Sequence, residues 1–431
     1  MADNSRVRPL RPSPSAPLLS GVEKESQSAV RLLRLALPLA FLGLVLGNGF
    51  LLAAGIVLLV VLGLSWAWDA LSLRGLSYRR HITERRAFLG ETLELTLEVY
   101  NRKLLPLAWL QVDDAFPVAL EMRDIELEQF RLSPQGIFRS FWTVGAFQRL
   151  ARRLTLHCTA RGYHVFGPAT LRTGDGFGLF SRRALFDEEL RVIVYPRLYP
   201  AEALRLPAKN PLGNLASKQR LFEDPLRTAG IREWQPGDSL HRIHWRAMAK
   251  HQRLLSRVYE PSEEPQVAIF LNVATLARHW AGSIPELFER TVSVAGSLAA
   301  LAVEERLPVG LTANAYWPGS DQPLHIAPGR SPNQLMHILE LLAAVSPNAV
   351  APIETLLLRE APRMPWGATL MVVTAVAHAD LLHALVDLEQ AGRKMVLFTL
   401  AEEPPQELPP GLRVFHLPHL VAGVVAPQVI A

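Results

Sequence analysis

Between Ile231 and His251 the sequence reads IREWQPGDSLHRIHWRAMAKH, a run dense in residue types that can do chemistry. Glu233, Asp238 and His244 form an acid–base set of the kind a hydrolase acting on cell-envelope material would use to move protons. Asp238, His241 and His244 offer oxygen and imidazole donors to a metal ion. Arg242, Arg246 and Lys250 recur four apart, so on a helix they share one positive face. Such a face suits the phosphates of nucleic acid, an anionic lipid surface or an acidic protein. The same side chains also have ordinary structural uses. After the Pro236-Gly237 turn, Asp238 or Ser239 can cap a helix, and Asp238 can pair with Arg242 four residues on. Trp234 and Trp245 can then fill a seam between two domains. Leu240, Ile243 and Ala247 mark the apolar face of that helix, and RLLSRVYE reads as a strand leading away.

Elsewhere the signatures of catalysis are missing from the sequence. It holds no GxxxxGK[ST] nucleotide loop, no HExxH zinc helix, no GxSxG elbow and no pair of cysteines. The one cysteine, Cys158, excludes an intramolecular disulfide and fits a reducing compartment. The 431 residues are enough for two or three cored domains, and a formal charge of +5 makes the distribution of cations more informative than their sum.

The elements that must carry this run begin with a tail rich in Pro and Ser, RVRPLRPSPSAPLLSG, which has no apolar period. Next, LALPLAFLGLVLGNGFLLAAGIVLLVVLGLSWAW has no charged residue between Arg34 and Asp69. As one helix it would be about 50 Å long, against a hydrocarbon core of about 30 Å. Gly47-Asn48-Gly49 breaks it, so two spans form a hairpin. Trp66 and Trp68 suit the interface at its exit. Arginines flank both ends, among them Arg31 and Arg34 before and Arg74, Arg79 and Arg80 after, while the turn is uncharged. By the positive-inside rule both ends face the cytoplasm.

From Leu76 the period becomes two. In ETLELTLEVYN, Leu93, Leu95, Leu97 and Val99 point inward, as do Leu154, Leu156 and Cys158 in RRLTLHCTA. Short strands between turn signals predict a β-sandwich, and the glycines of TGDGFGLF read as a turn within it rather than a phosphate cradle. From Gln266 apolar strands alternate with helices: QVAIFLNV, PELFERTVSVAGSLAALAVEERL, PVGLTANAYW, a helix opened by Ser331-Pro332, ATLMVVTAV, ADLLHALVDLEQAG, KMVLFTL and an edge at LRVFHL. That order predicts a doubly wound α/β domain with a parallel sheet covered on both faces.

The pattern Arg232-Glu233-Trp234-x-x-Gly237-Asp238, then Arg242-x-His244-Trp245, then Ala249, resembles the hallmark of the DUF 58 family, with Met248 in place of a threonine. Gly90-Glu91, Asn101 and ARGYHVFGPATLRTGDGFGLF resemble the segment that precedes it, so the resemblance covers about Arg34 to Val273. It implies a membrane-associated protein with a von Willebrand factor A-like C-terminal domain and a MoxR-type AAA+ ATPase as partner. It implies no catalytic residues. A domains that hold Mg²⁺ do so through Asp-x-Ser-x-Ser after the first strand. Here those positions are Asn272, Ala274 and Leu276, with Thr275 a poor substitute and Asp380 a lone carboxylate.

The expectation is therefore an α+β multidomain chain: an N-terminal transmembrane helical hairpin, a β-sandwich domain and a doubly wound, von Willebrand factor A-like α/β domain. The divisions are a disordered tail over 1–30, the hairpin over 31–70, the sandwich over 76–200, the hallmark over 201–265 and the α/β domain over 266–431. The expected role is a non-enzymatic adaptor in the cytoplasmic membrane, its soluble domains cytoplasmic, with Arg242, Arg246 and Lys250 facing a protein partner. No cofactor, metal or nucleic acid is expected.

Overall fold

Gly47 and Asn48 turn the apolar run back on itself. In a computed structural model the described residues are 20–420 apart from 26, 123–124, 130–132, 208–210, 213–222, 237, 262–264, 279, 318–322, 402 and 405–411. Helix α1 (Gln27–Val45) ends at the turn, where Gly47 takes φ +63°. Helix α2 (Gly49–Ser72) starts under an Asn48 cap, whose Oδ1 accepts from Phe50 N at 3.0 Å and Leu51 N at 3.3 Å. Gly43 and Gly55 let the helices touch backbone to backbone. A Cβ on Gly43 would lie 2.3 Å from Leu52 N, and one on Gly55 2.5 Å from Ala40 N. Close approach through small residues is how helices pack where water gives no hydrophobic drive. Phe41, Leu44, Phe50, Val57 and Leu64 face outward. Both helices are long and apolar enough to cross a membrane.

The chain divides into two compact units, 1–194 and 195–431. Among the described residues the first holds the hairpin and thirteen strands. Strand β1 (Ser20–Glu25) precedes α1. After α2 come β2 (Leu76–Ile82), β3 (Arg86–Phe88), β4 (Thr92–Asn101), β5 (Leu107–Pro117), β6 (Glu121–Met122), β7 (Glu128–Gln129) and β8 (Gln135–Val144). Then follow β9 (Arg149–His157), β10 (Gly162–Phe166), β11 (Ala169–Gly174), β12 (Ser181–Phe186) and β13 (Leu190–Tyr195). They form a six-stranded sheet, β1-β12-β11-β5-β8-β7, a four-stranded sheet, β2-β4-β9-β6, and a three-stranded sheet, β10-β13-β3. Leu95, Leu97 and Val99 on β4 and Leu154 and Leu156 on β9 are buried in one core with Val112, Phe116 and Phe186 of the six-stranded sheet. The predicted alternation is what buries them. Residues 20–25, expected to belong to a loose tail, instead pair with β12 as an edge strand, while 1–19 lie outside the described residues.

An ion pair crosses that core. Arg80 on β2 donates from Nε to Asp114 Oδ2 at 2.8 Å and from its terminal nitrogen to Oδ1 at 2.7 Å. Tyr78 donates its hydroxyl to the same carboxylate at 2.6 Å, and Arg80 also bonds the Glu188 carbonyl. The Arg80 and Asp114 side chains are 2% and 0% exposed. Burial works against the Arg80 charge, but the bonds to Asp114 outweigh it and raise the guanidinium pKa above its usual value.

A second, partly buried pair ties the hairpin to the sheet: Asp69 near the end of α2 accepts from Arg182 Nε on β12 at 2.6 Å. Beside it the TGDGFGLF turn is closed by Asp175, whose carboxylate accepts from Phe177 N and Phe180 N. Phe180 packs with Ala36 and Leu62 of the helices.

The second unit carries β14 (Glu223–Glu233), α3 (Trp245–His251) and β15 (Leu255–Pro261), and then the α/β sheet. That sheet is built from β16 (Gln266–Leu271), α4 (Pro285–Glu304), β17 (Val309–Tyr316), β18 (Pro323–Gly329), α5 (Gln334–Ala344), α6 (Ile353–Glu360), β19 (Ala368–Thr374), α7 (Ala379–Gln390), β20 (Lys394–Thr399) and β21 (Arg413–His416). The strand order is β18-β17-β16-β19-β20-β21, all parallel except β18, which runs antiparallel to β17. Val267, Ile269 and Leu271 pack under α4 and α5, whereas Ala268 and Phe270 pack with α6 and α7. Both faces are thus covered, and the strands read as continuous apolar runs. One boundary differs: the residue immediately before α5 is Asn333, not Ser331, and its side chain makes no capping bond. Ser331 instead accepts at its hydroxyl from Asn333 N and at its carbonyl from Gln334 N, fixing the turn before the helix.

Candidate functional site: an exposed arm and a closed sheet mouth

The hallmark run is an arm. Strands β14 and β15 pair antiparallel, with Arg232 opposite Ser256 and Glu233 opposite Leu255. The chain between them folds back through Trp234 N to Leu254 O and His244 N to Leu255 O, each 2.9 Å. Ile243 is the buried anchor beneath α3 and bridges Ser256.

The helix begins later than its apolar spacing predicts. Residues Leu240–Arg242 form a 3-10 turn, and α3 starts at Trp245. His244 is the cap, its Nδ1 accepting from Ala247 N at 3.1 Å. Asp238 therefore caps no α-helix. It accepts from Gln235 N at 3.0 Å and pairs with Arg232 at 2.5 Å, and the Arg242 charge also favours its ionised form. Arg242 sits half-buried on the 3-10 turn, so only Arg246 and Lys250 of the three cations lie on α3, both exposed. Trp245, expected to fill a seam, is 63% exposed, and Leu240 is 68% exposed beside it in sequence. Leu254 and Ile231 are exposed too. Trp234 is half-buried, its indole N–H without a partner among the described residues, and Gly237 lies outside them.

The acid–base set does not converge. Glu233 pairs with Arg253 at 3.2 Å, Asp238 with Arg232, and His244 caps α3. Among the described residues no group of three His, Cys, Asp or Glu side chains is placed to hold a metal, so Asp238, His241 and His244 are not brought together.

The bonds from Arg232 and Gln235 N hold the Asp238 carboxyl below the usual carboxylate range. With its folded-state pKa below the unfolded one, the contact contributes fully above about pH 4 and fades as the pH falls through the depressed value. Hydrogen exchange at the Gln235 amide, corrected for intrinsic rate, is expected to stay flat from about pH 5 to 8 and to accelerate only in acid. In Asp238→Asn the amide should exchange faster throughout; an unchanged rate would contradict the assigned contact.

The other place where an α/β sheet does chemistry is the crevice beyond the carboxyl ends of its strands, where the strand order reverses. Here that is between β16 and β19, and a neutral network closes it. Asn272 donates to Thr374 Oγ1 at 3.0 Å, and its Oδ1 accepts from Asn314 at 2.9 Å and from Ala274 N at 3.1 Å. Asn314 in turn accepts from Val273 N and donates to the Ala351 carbonyl. Thr275 accepts from Ile284 N at the hydroxyl. Sequence reasoning singled out Asn272 and Thr275 but missed Asn314 and Thr374, since only the sheet order brings their strands together.

Two membrane-length helices, a β-rich unit and an α/β sheet bearing an exposed arm define a mixed α+β multidomain protein. Residues 230–416 match the family described as "Protein of unknown function DUF58". A protein of Bacillus subtilis (strain 168), described as uncharacterized protein YeaD, is 23% identical over 340 residues, 78% of each chain. Both matches support the DUF58 family, carried by residues 230–416. The family match begins at the arm and runs through the α/β sheet, further toward the C-terminus than the hallmark resemblance reached. Among solved structures, the CARDB domain of a Pyrococcus furiosus protein aligns at TM-score 0.19 and 10% identity over 28% of this chain and 96% of that one. A cohesin module from Clostridium perfringens aligns at 0.19 and 13%, over 27% and 96%. Likeness at that level carries no argument about this chain.

Proposed function

We propose that the protein is a non-enzymatic adaptor, anchored in the cytoplasmic membrane by α1 and α2, that presents the arm to a MoxR-type AAA+ ATPase. The observation that carries this reading is the surface of the arm. Trp245 and Leu240 lie open to solvent on a braced hairpin, with Arg246 and Lys250 on the same short helix. An exposed aromatic with cations nearby is the composition of a protein-binding hot spot. The adaptor reading is favoured over the hydrolase because Glu233, Asp238 and His244 each hold a structural contact. The matching role for the α/β sheet is that of a von Willebrand factor A-like domain in which Asn272 stands where metal-binding members carry the first aspartate. The β-unit is read as a sandwich. Affinity purification of the full chain from native membranes is expected to recover the ATPase, and repeated recovery of the chain alone would count against the proposal.

The orientation has its own test. Strand β1 before α1 pairs with β12 after α2, which supports both ends of the hairpin lying on one side. Cys158 is buried, and a side chain at Gly49 meets nothing within 4 Å. Gly49→Cys should therefore react with a membrane-impermeant maleimide added outside intact cells. Labelling only after lysis would reverse the orientation.

A further inference from the structure

Where α2 leaves its apolar stretch, a groove of about 520 Å³ opens between the end of the helix and the turn joining β4 to β5. Its walls are apolar: Trp68 and Leu71 from the helix side, Leu104 and Pro106 from the turn. Arg74 and Lys103 also line it, and no acidic residue does. Neither cation has a carboxylate partner among the described residues; Lys103 bonds only the Ser72 carbonyl at the end of α2. Trp68 keeps a buried indole N–H with no acceptor among the described residues.

We propose that this groove binds one anionic phospholipid, its phosphate held by Arg74 and Lys103 and its upper acyl chain laid against Trp68, Leu71, Leu104 and Pro106. The site presupposes that α1 and α2 lie in a membrane. The occupant follows from three features. First, the ligand must carry negative charge beside an apolar segment, because two cations border a wall of carbon. Second, the groove is continuous with the hairpin at the depth of the interface. Leu104 is 76% exposed on its rim, and Phe177, 72% exposed, projects from the turn that packs on the same helices. Aromatic side chains at that level belong to the headgroup region. Third, burial lowers the Lys103 ammonium to about 8, so the cation is poorly solvated and an anion beside it restores what water does not supply.

Native mass spectrometry of the full chain, released from bilayer discs of equal dioleoylphosphatidylglycerol and dioleoylphosphatidylcholine, tests the site. The wild-type chain is expected to retain one phosphatidylglycerol with at least about tenfold preference, two basic groups near a charged surface each contributing severalfold. In Arg74→Gln with Lys103→Gln the preference should fall to within about twofold. Millimolar inorganic phosphate should not displace the lipid, since it lacks the acyl chain; displacement would reassign the groove to a free anion. Equal retention of both lipids by the wild type, or unchanged preference in the double variant, would overturn the proposal. Carbonate washing of membranes separates the two ideas. If the chain is released, the membrane anchor itself fails; if it stays and lipid preference is absent, only the lipid site fails.

Discussion

Asp114→Ala is expected to lower the melting temperature of the β-unit by about 10 °C in the detergent-solubilised chain. The substitution leaves the Arg80 guanidinium in the core, 2% exposed, without its carboxylate. Breaking a buried pair from one side costs about 3–5 kcal/mol, and a unit of this size shifts by about 2–4 °C per kcal/mol. Tyr78 also loses its acceptor, and its hydroxyl is buried with the pair. Removing both charges tells a different story. Arg80→Met with Asp114→Leu fills the same space without a stranded ion, and such replacements are often neutral or better. The double variant should therefore regain much of the loss, although the Glu188 carbonyl then lacks its donor. A shift under about 2 °C in Asp114→Ala would mean that water reaches the pair.

Trp245→Ala is expected to weaken ATPase binding by about thirtyfold or more, because truncated hot-spot aromatics lose about 2 kcal/mol or more. The same change should leave the fold almost untouched. Trp245 is exposed, and α3 is held by the His244 cap, the Ile243 anchor and the β14–β15 ladder rather than by the indole. Arg246→Glu with Lys250→Glu should act mainly on the association rate and make binding less salt-sensitive, as charges at the rim of an interface do. Together the two variants separate an apolar anchor from electrostatic steering. If Trp245→Ala also lowered the melting temperature by several degrees, the indole would be a packing residue and not a contact.

Much of this architecture can be read from residues alone. The Gly47-Asn48-Gly49 break, the inward series Leu93 to Val99 and the apolar runs from Gln266 onward all announce their elements, because each follows one period and one turn chemistry. What escapes is set by pairing across distance. In β2 the inward register runs Leu76, Tyr78, Arg80, Ile82, and in β5 it runs Val112, Asp114, Phe116. A lone charge in each inward series signals a buried pair, but only the meeting of two sheets says that the two charges are partners. The arm failed for a local reason. Leu240, Ile243 and Ala247 do recur with helical spacing, yet Ile243 is extended and His244 restarts the helix, so the polar residues before it serve the turn. Antiparallel β18 and helix α6 were missed as well, the strand because Pro323 and Pro328 punctuate it.

The direct measurement is the affinity of the purified full chain, in bilayer discs, for a MoxR-type ATPase from the same cell, with and without the Trp245→Ala change. Saturable binding by the wild type that falls about thirtyfold or more in the variant is the predicted result. Absence of binding by a folded wild-type chain, or equal binding by both, would contradict the assignment of the arm as the partner surface.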